Sequence, residues 1–268
     1  MDYKELRKIV EKDPELRQMK LNDYELHTAY RYLMMKESRE KTDYIPTLVR
    51  TENSIEIVMV PTESFDEELK RRASLSNVGT LDTVNYILDA KLADFTLNTE
   101  ERNDAYLKAS RFIDLLKEGK TNKGLYLYGM YGTGKTYLLS AIVEEVSKYK
   151  KVLFIYFPDL VRNMKTSIST NELEDKVTAL KTAELLVFDD VGSENMTGWF
   201  RDEILSPILQ FRLASNLPIL ISSNFSQKQL IDFMATERHE IDRIKAARIV
   251  HRIRELTEEI PLSVPYKE

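Results

Sequence analysis

One eight-residue stretch constrains this chain more than any other. Residues 129–136 read Gly-Met-Tyr-Gly-Thr-Gly-Lys-Thr and fit the pattern G-x-x-x-x-G-K-[ST]. A loop that aims successive N–H groups at phosphate oxygens cannot carry side chains on its inner surface, so glycine stands where the wrap is tightest. The following helix adds the partial positive charge of its N-terminus. Lys135 is expected to reach the β- and γ-phosphates of ATP, and Thr136 to offer its hydroxyl to Mg2+. The other expected contacts are Gly129, Tyr131, Gly132, Thr133, Gly134 and Tyr137. A chance match arises in roughly one chain in a hundred of this length. Context decides for function: an apolar run at 125–128 precedes the loop and a helical pattern at 135–149 follows it.

From Gly124 onward strands and helices alternate. Apolar runs at 125–128, 152–157, 185–188 and 218–222 read as strands, with a last short one at 260–264. Stretches at 135–149, 159–167, 171–181, 199–215, 226–234 and 240–256 read as helices. This alternation implies an α/β domain, a parallel sheet with helices on both faces. Apolar strands without polar alternation agree, because such strands are buried on both sides.

The run 185–188 ends in Asp189 and Asp190. In P-loop ATPases the first acid at such a strand end holds Mg2+, and a second can polarise the attacking water. Asp189 is assigned to the metal and Asp190 to the base. The strand 218–222 leads into Ser223 and Asn224. Asn224 would lie beside the γ-phosphate if this strand sits between the other two. The competing reading is a helix cap, for which Ser226 is nearer. Residues 238–254 carry Arg238, Arg243, Lys245, Arg248, Arg252 and Arg254 against Glu240 and Asp242. Arg248 and Arg252 share one helix face and are candidates to reach a neighbouring subunit's γ-phosphate. A solvated basic face and a local DNA contact are the alternatives. Few residues follow this last helix, too few for a helical lid, so closure of the site would need a neighbour.

Composition removes other chemistries. The chain has 268 residues, 43% hydrophobic and 31% charged, as a folded protein does. With no cysteine, disulfides and thiolate zinc sites are excluded, and no zinc is expected. His27, His239 and His251 are far apart in sequence. A net charge of −5 argues against bulk attachment to nucleic acid, so any DNA contact needs a local patch. No apolar run approaches the ~18 residues that cross a membrane, and 1–10 lacks a signal-peptide core. A cytoplasmic protein is expected.

None of the eight glycines precedes Gly79. Residues 2–12 and 22–37 read as helices, the second capped by Asn22, with Leu26, Tyr30, Leu33 and Met34 at helical spacing. Residues 47–50 and 54–60 read as two strands around Glu52 and Asn53, with Ile55, Ile57 and Met59 on one face and Pro46 and Pro61 bracketing them. The expected division is a small α+β N-terminal domain at 1–61, a linker at 62–98 and an ATPase domain at 99–268. The last opens with an amphipathic helix at 100–118, carrying Tyr106, Ala109, Ile113 and Leu116 on one side and ended by Gly119.

The phosphate loop, the runs 124–129 and 187–192, Met-Thr-Gly-Trp-Phe-Arg-Asp-Glu-Ile at 196–204, Ser-Ser-Asn-Phe at 222–225 and Lys-Ala-Ala-Arg-Ile at 245–249 together resemble the DnaI/DnaC bacterial replicative helicase loaders, DnaI more closely. The resemblance implies a lidless AAA+ P-loop NTPase fold with strand order 5-1-4-3-2. It implies slow, partner-modulated ATP hydrolysis during loading of a DnaB-type hexameric helicase onto single-stranded DNA. Residues 1–61 would grip the helicase, and subunits would self-associate through the ATP site. The helical stretch after Phe157 would bind single strands, with Arg162 and Lys165 as candidate phosphate contacts. DnaI proteins carry a cysteine-rich zinc site near the N-terminus; this chain departs from them there, as a loader from a phage or a divergent bacterium would. An IstB-type transposition helper shares the core and is the alternative. Another is a non-catalytic ATP-binding helicase adaptor or inhibitor, which Asp190 in place of the glutamate common in AAA+ proteins favours.

Overall fold

A computed structural model describes residues 3–37, 44–51, 54–65, 77–79, 86–120, 123–170, 172–194, 196–235 and 240–265, without the side chains of 165, 166 and 168–170. Glu52, Asn53, Arg238, His239 and most of 66–85 therefore lie outside the described residues. The chain divides into two compact units, Met1–Arg72 and Ala73–Glu268.

In the first unit, helices Tyr3–Val10 and Pro14–Gln18 lead to a 3-10 turn, Asp23–Glu25, that runs into helix Leu26–Glu37. Local chemistry starts each. Asp13 accepts from the N–H groups of Glu15 and Leu16, with Pro14 in the first turn. Asn22 and Glu25 form a reciprocal capping box, so Asn22 is the cap that its position suggested. Strands β1 (Tyr44–Arg50) and β2 (Ile55–Pro61) form an antiparallel hairpin. Pro46 and Pro61 lie inside these strands rather than outside them; in a two-stranded hairpin every strand has an open edge, where proline costs no ladder bond. Leu6, Leu16, Leu26, Ala29, Leu33, Leu48 and Ile55 make the core. Of the face expected from the alternation, Ile55 is buried and Met59 is exposed. One ion pair ties hairpin to helix: Arg50 Nη1 donates to Glu25 Oε1 (2.9 Å) and Nη2 to the Met19 carbonyl (2.9 Å).

The second unit holds a six-stranded sheet: β3 (Val78–Gly79), β4 (Gly124–Tyr128), β5 (Val152–Tyr156), β6 (Leu185–Val191), β7 (Ile219–Ser223) and β8 (Thr257–Pro261), in the order β3-β5-β6-β7-β4-β8. Every pairing is parallel. With β4 counted as the first core strand, the order is the implied 5-1-4-3-2, extended at one edge by β3. Helices Glu100–Lys117 and Lys135–Val146 cover one face, where Phe112, Leu138, Leu139 and Ile142 meet Leu127 and Leu220. The opposite face is covered by helices Phe157–Thr170, Leu173–Thr182, Ser206–Ala214, Gln227–Met234 and Glu240–Leu256, through Phe157, Phe200, Ile208, Leu230 and Val250. The helix expected at 199–215 opens with a π-helical turn, Phe200–Leu205. The last strand starts three residues earlier than its apolar residues suggested. Thr257 is buried and its hydroxyl donates to the Ile253 carbonyl (2.6 Å), which joins helix end to strand start.

The expected linker needs correction. The compact units part at Arg72, and Val78–Gly79 pairs with β5. The Ile87 N–H donates to Ser140 Oγ (3.0 Å), and the Tyr137 hydroxyl bonds both the N–H (3.3 Å) and the carbonyl (3.1 Å) of Lys91. Phe95 is buried. Residues 86–98 are thus held by isolated anchors with no helical or strand period for the sequence to display.

Glu25 is 5% exposed, and the Asn22 N–H, followed by Arg50, holds its carboxyl below the usual range against the effect of burial. A group whose pKa is lower folded than unfolded contributes stability above its unfolded value, about 4.3, and loses it as pH falls through the folded value. Glu25→Gln is therefore expected to lower hydrogen-exchange protection of helix Leu26–Glu37 by about 1 kcal/mol or more at pH 7. The gap to the unaltered chain should close below pH 4 or so. A gap independent of pH would contradict this role.

Candidate nucleotide-binding site

Strand ends β4, β6 and β7 open onto a cavity of about 510 Å³. Its floor is the phosphate loop between β4 and helix Lys135–Val146. Three loop glycines have positive φ: Gly129 (153°), Gly132 (75°) and Gly134 (91°). A β-carbon on Gly129 would stand 1.9 Å from the Leu262 carbonyl oxygen, so β8's exit closes off that side. Lys135 folds back over the loop. Its ammonium donates to the carbonyls of Gly129 (2.7 Å) and Met130 (2.8 Å) and to Asn224 Oδ1 (3.1 Å). Burial lowers its pKa, with Asp190 and Asp189 opposing. Thr133 Oγ1 donates to the Met130 carbonyl (3.0 Å) and braces the turn. Tyr131 is exposed at the rim.

The acidic side is built on Asp189, which is 3% exposed. Thr136 Oγ1 stands 3.1 Å from both its carboxylate oxygens, and Ser222 Oγ donates to Oδ1 (2.5 Å). Burial pushes the Asp189 pKa up, and these two hydroxyls oppose it. Ser222 also accepts the N–H of Asp190 (2.8 Å). Asp190 sits at φ 62°, in the left-handed region, where the β6–β7 register shifts between Phe188 and Val191. Its carboxylate faces Asn224 Nδ2 (3.4 Å) and the Tyr156 hydroxyl (3.5 Å). Ser226 caps the next helix in a capping box with Gln229, which leaves Asn224 to the cavity.

The structure thus brings Lys135, Thr136, Asp189, Asp190 and Asn224 together. It does not bring Arg248 or Arg252 to the same cavity. Arg248 is exposed, and Arg252 donates to Gln210 Oε1 (2.9 Å) and Ser206 Oγ (2.7 Å). Arg162 is exposed and paired with Asp159 (2.6 Å), and the side chain of Lys165 lies outside the described residues. The sequence reading missed Ser222 and Tyr156, which hold the acids, and the wall of Ile87, Phe95, Thr96 and Arg102. Its one available signal for Ser222 was a polar residue ending an apolar strand. The donor set suits Mg2+: a hydroxyl and a carboxylate, all oxygen, which that hard cation takes while completing its shell from phosphates and water. Among the described residues no cluster of three His, Asp or Glu forms a separate metal site, and no helix is long and apolar enough to cross a membrane.

Phosphate loop, acid-ended strand and polar-ended strand on a parallel 5-1-4-3-2 sheet define an ATP-binding P-loop protein with the AAA+ fold. The family of IstB-like ATP binding proteins matches residues 47–254. The replicative helicase loader DnaI of Bacillus subtilis (strain 168) is 35% identical over 214 residues, 78% of this chain and 68% of that protein. The crystal structure of DnaI superposes with a TM-score of 0.65 at 39% identity, covering 70% of this chain and 98% of that one. A putative primosome component from Streptococcus pyogenes serotype M3 gives 0.61 at 28%, covering 74% and 100%. The DnaC helicase loader gives 0.52 at 25%, covering 66% and 98%. The chain belongs to the IstB-like ATP-binding family and is similar to the DnaI-type helicase loaders.

Ser222→Ala removes a donor from a buried carboxylate and the acceptor of the Asp190 N–H. An unsatisfied buried group costs about 1–3 kcal/mol. Urea denaturation is expected to show a loss of that size, and weaker Mg2+-dependent ATP binding beside it. Unchanged values for both would show that Ser222 does not organise the acids.

Proposed function

We propose that this protein is an ATP-hydrolysing loader that places a replicative hexameric helicase of the DnaB type onto single-stranded DNA. The observation that carries the reading is the 35% identity with the Bacillus subtilis replicative helicase loader over 78% of this chain, a stretch longer than the second compact unit. In this mechanism Lys135 gives up the loop carbonyls for the β- and γ-phosphates. The aromatic and apolar wall of Ile87, Phe95 and Tyr137 receives the base. Thr136 and Asp189 would hold Mg2+, which would supply neutralisation of the charge developing on the phosphates. Asp190 takes the proton of the attacking water, and Asn224 orients beside the γ-phosphate. The two carboxylates divide the work by environment: Asp189 is buried among hydroxyls, whereas Asp190 is half-buried and faces the cavity.

Arg248 or Arg252 would act on a neighbouring subunit's nucleotide, since neither lines its own cavity, and self-association through the ATP site would then accelerate turnover. The first unit grips the helicase. Arg162 and Lys165, on the helix after β5, contact phosphates of single-stranded DNA, and the loader works in the cytoplasm. A second reading is favoured by the IstB-like family match: a transposition helper that uses the same ATP site on duplex DNA.

Turnover of the full chain with a replicative helicase, with and without single-stranded DNA, decides between them. Lys135→Ala should lose ATP binding. Asp190→Asn should keep binding and lose turnover by a factor of about 10² or more. A stable helicase complex with DNA-modulated turnover supports the loader. ATP binding without any helicase complex sinks it, and filaments on duplex DNA would then support the transposition helper. A helicase complex without turnover would leave an adaptor.

A further inference from the structure

We propose that Arg102 is a positioning residue of the nucleotide site, which ties the wall facing the base to the loop holding the phosphates. The inference rests on the ATP-binding reading and adds to it how the two halves of the ligand are coupled.

Arg102 is in the first turn of helix Glu100–Lys117, where its N–H donates to the capping Thr99 Oγ1 (3.3 Å). Its side chain is 2% exposed. Nη1 donates to the carbonyl of Thr133 inside the phosphate loop (2.6 Å), and Nε donates to the carbonyl of Thr96, another lining residue of the cavity (2.6 Å). The guanidinium lies 4.2 Å from the centroid of the Phe95 ring. A β-carbon on Gly134 would stand 3.4 Å from Nη2, so the loop backbone runs directly against the group. Phe95 in turn lies nearly parallel to Tyr137, with ring centroids 6.4 Å apart, and Tyr137 grips the backbone of Lys91.

A buried arginine ordinarily has a carboxylate partner, because its desolvation is costly. Here no carboxylate pairs with it among the described residues, and burial alone lowers its pKa. Two backbone carbonyls from separate segments satisfy it instead. The planar guanidinium donates to the two carbonyls from separate nitrogens while lying over a ring, a geometry that the single nitrogen of a lysine does not reproduce. Any shift of the Phe95–Thr96 segment therefore reaches the Thr133 carbonyl through one rigid group. Its charge also raises the positive potential under a loop built for phosphate.

The test compares ATP with inorganic tripolyphosphate, both with Mg2+, by calorimetric titration of the full chain carrying Arg102→Gln or Arg102→Lys. The unaltered chain should prefer ATP through its base. Arg102→Gln should weaken both ligands and shrink that preference about tenfold, the size of a typical coupling between sites. Arg102→Lys should regain tripolyphosphate affinity through its charge but not the preference. A purely structural role would lower the fraction of folded protein, measured by thermal melting, and leave the ratio of the two dissociation constants unchanged; that result overturns the proposal. If Arg102→Gln does not fold, an unchanged ratio in Arg102→Lys overturns it equally. Failure of the unaltered chain to bind ATP would instead strike the ATP-binding reading itself.

Discussion

A carboxylate buried at the end of a strand must be met by donors, and Asp189 gathers them from two directions. Thr136 comes from the helix after the phosphate loop and Ser222 from β7. These bonds fix where helix Lys135–Val146 stands relative to β6, and where β7 ends relative to both. Ser222 then uses its lone pair to take the Asp190 N–H, which the shifted β6–β7 ladder leaves free. One buried charge therefore sets the register, the strand ends and the direction of the second acid.

The cavity is net negative before any ligand is considered: Lys135 and Arg102 stand against Asp94, Asp189 and Asp190. A triphosphate would add several negative charges to a site that already has three carboxylates. At a few ångströms and an effective dielectric constant near 20, each such pair is worth about 4 kcal/mol of repulsion. A divalent cation held by Asp189 would reverse that sign, and the hydroxyl of Thr136 is already placed beside that carboxylate.

Much of this was legible in the sequence because it depends on local pattern. The glycines of the phosphate loop mark positive φ, the uninterrupted apolar runs mark strands buried on both faces, and the acids at 189 and 190 mark the part of β6 that reaches the cavity, although the strand continues to Val191. The runs that resemble helicase loaders carried the strand order, which periodicity alone does not give. What escaped was non-local. Ser222 is one of two serines that close the apolar strand β7; its importance exists only once β6 lies beside β7. Residues 86–98 read as linker because Ile87 and Lys91 dock singly through backbone bonds to Ser140 and Tyr137, and Phe95 through its ring on Tyr137, contacts that no spacing reveals. The arginines at 248 and 252 share a helix face as expected, yet that face lies away from the cavity of their own chain.

Asp190 is where sequence and backbone pull the functional reading in different directions. Read by type, an aspartate in place of glutamate favours loss of turnover. The backbone supplies another cause. At φ 62° a β-carbon is strained, and aspartate and asparagine tolerate that region far better than longer side chains because they bond locally. The shorter side chain still faces Asn224 and Tyr156 across the cavity. A conformation imposed by the Ser222 bond thus selects aspartate at this position, whether or not water is activated there. The departure from the commoner residue is explained by the β6–β7 register and gives no support of its own to a protein that binds ATP without hydrolysing it.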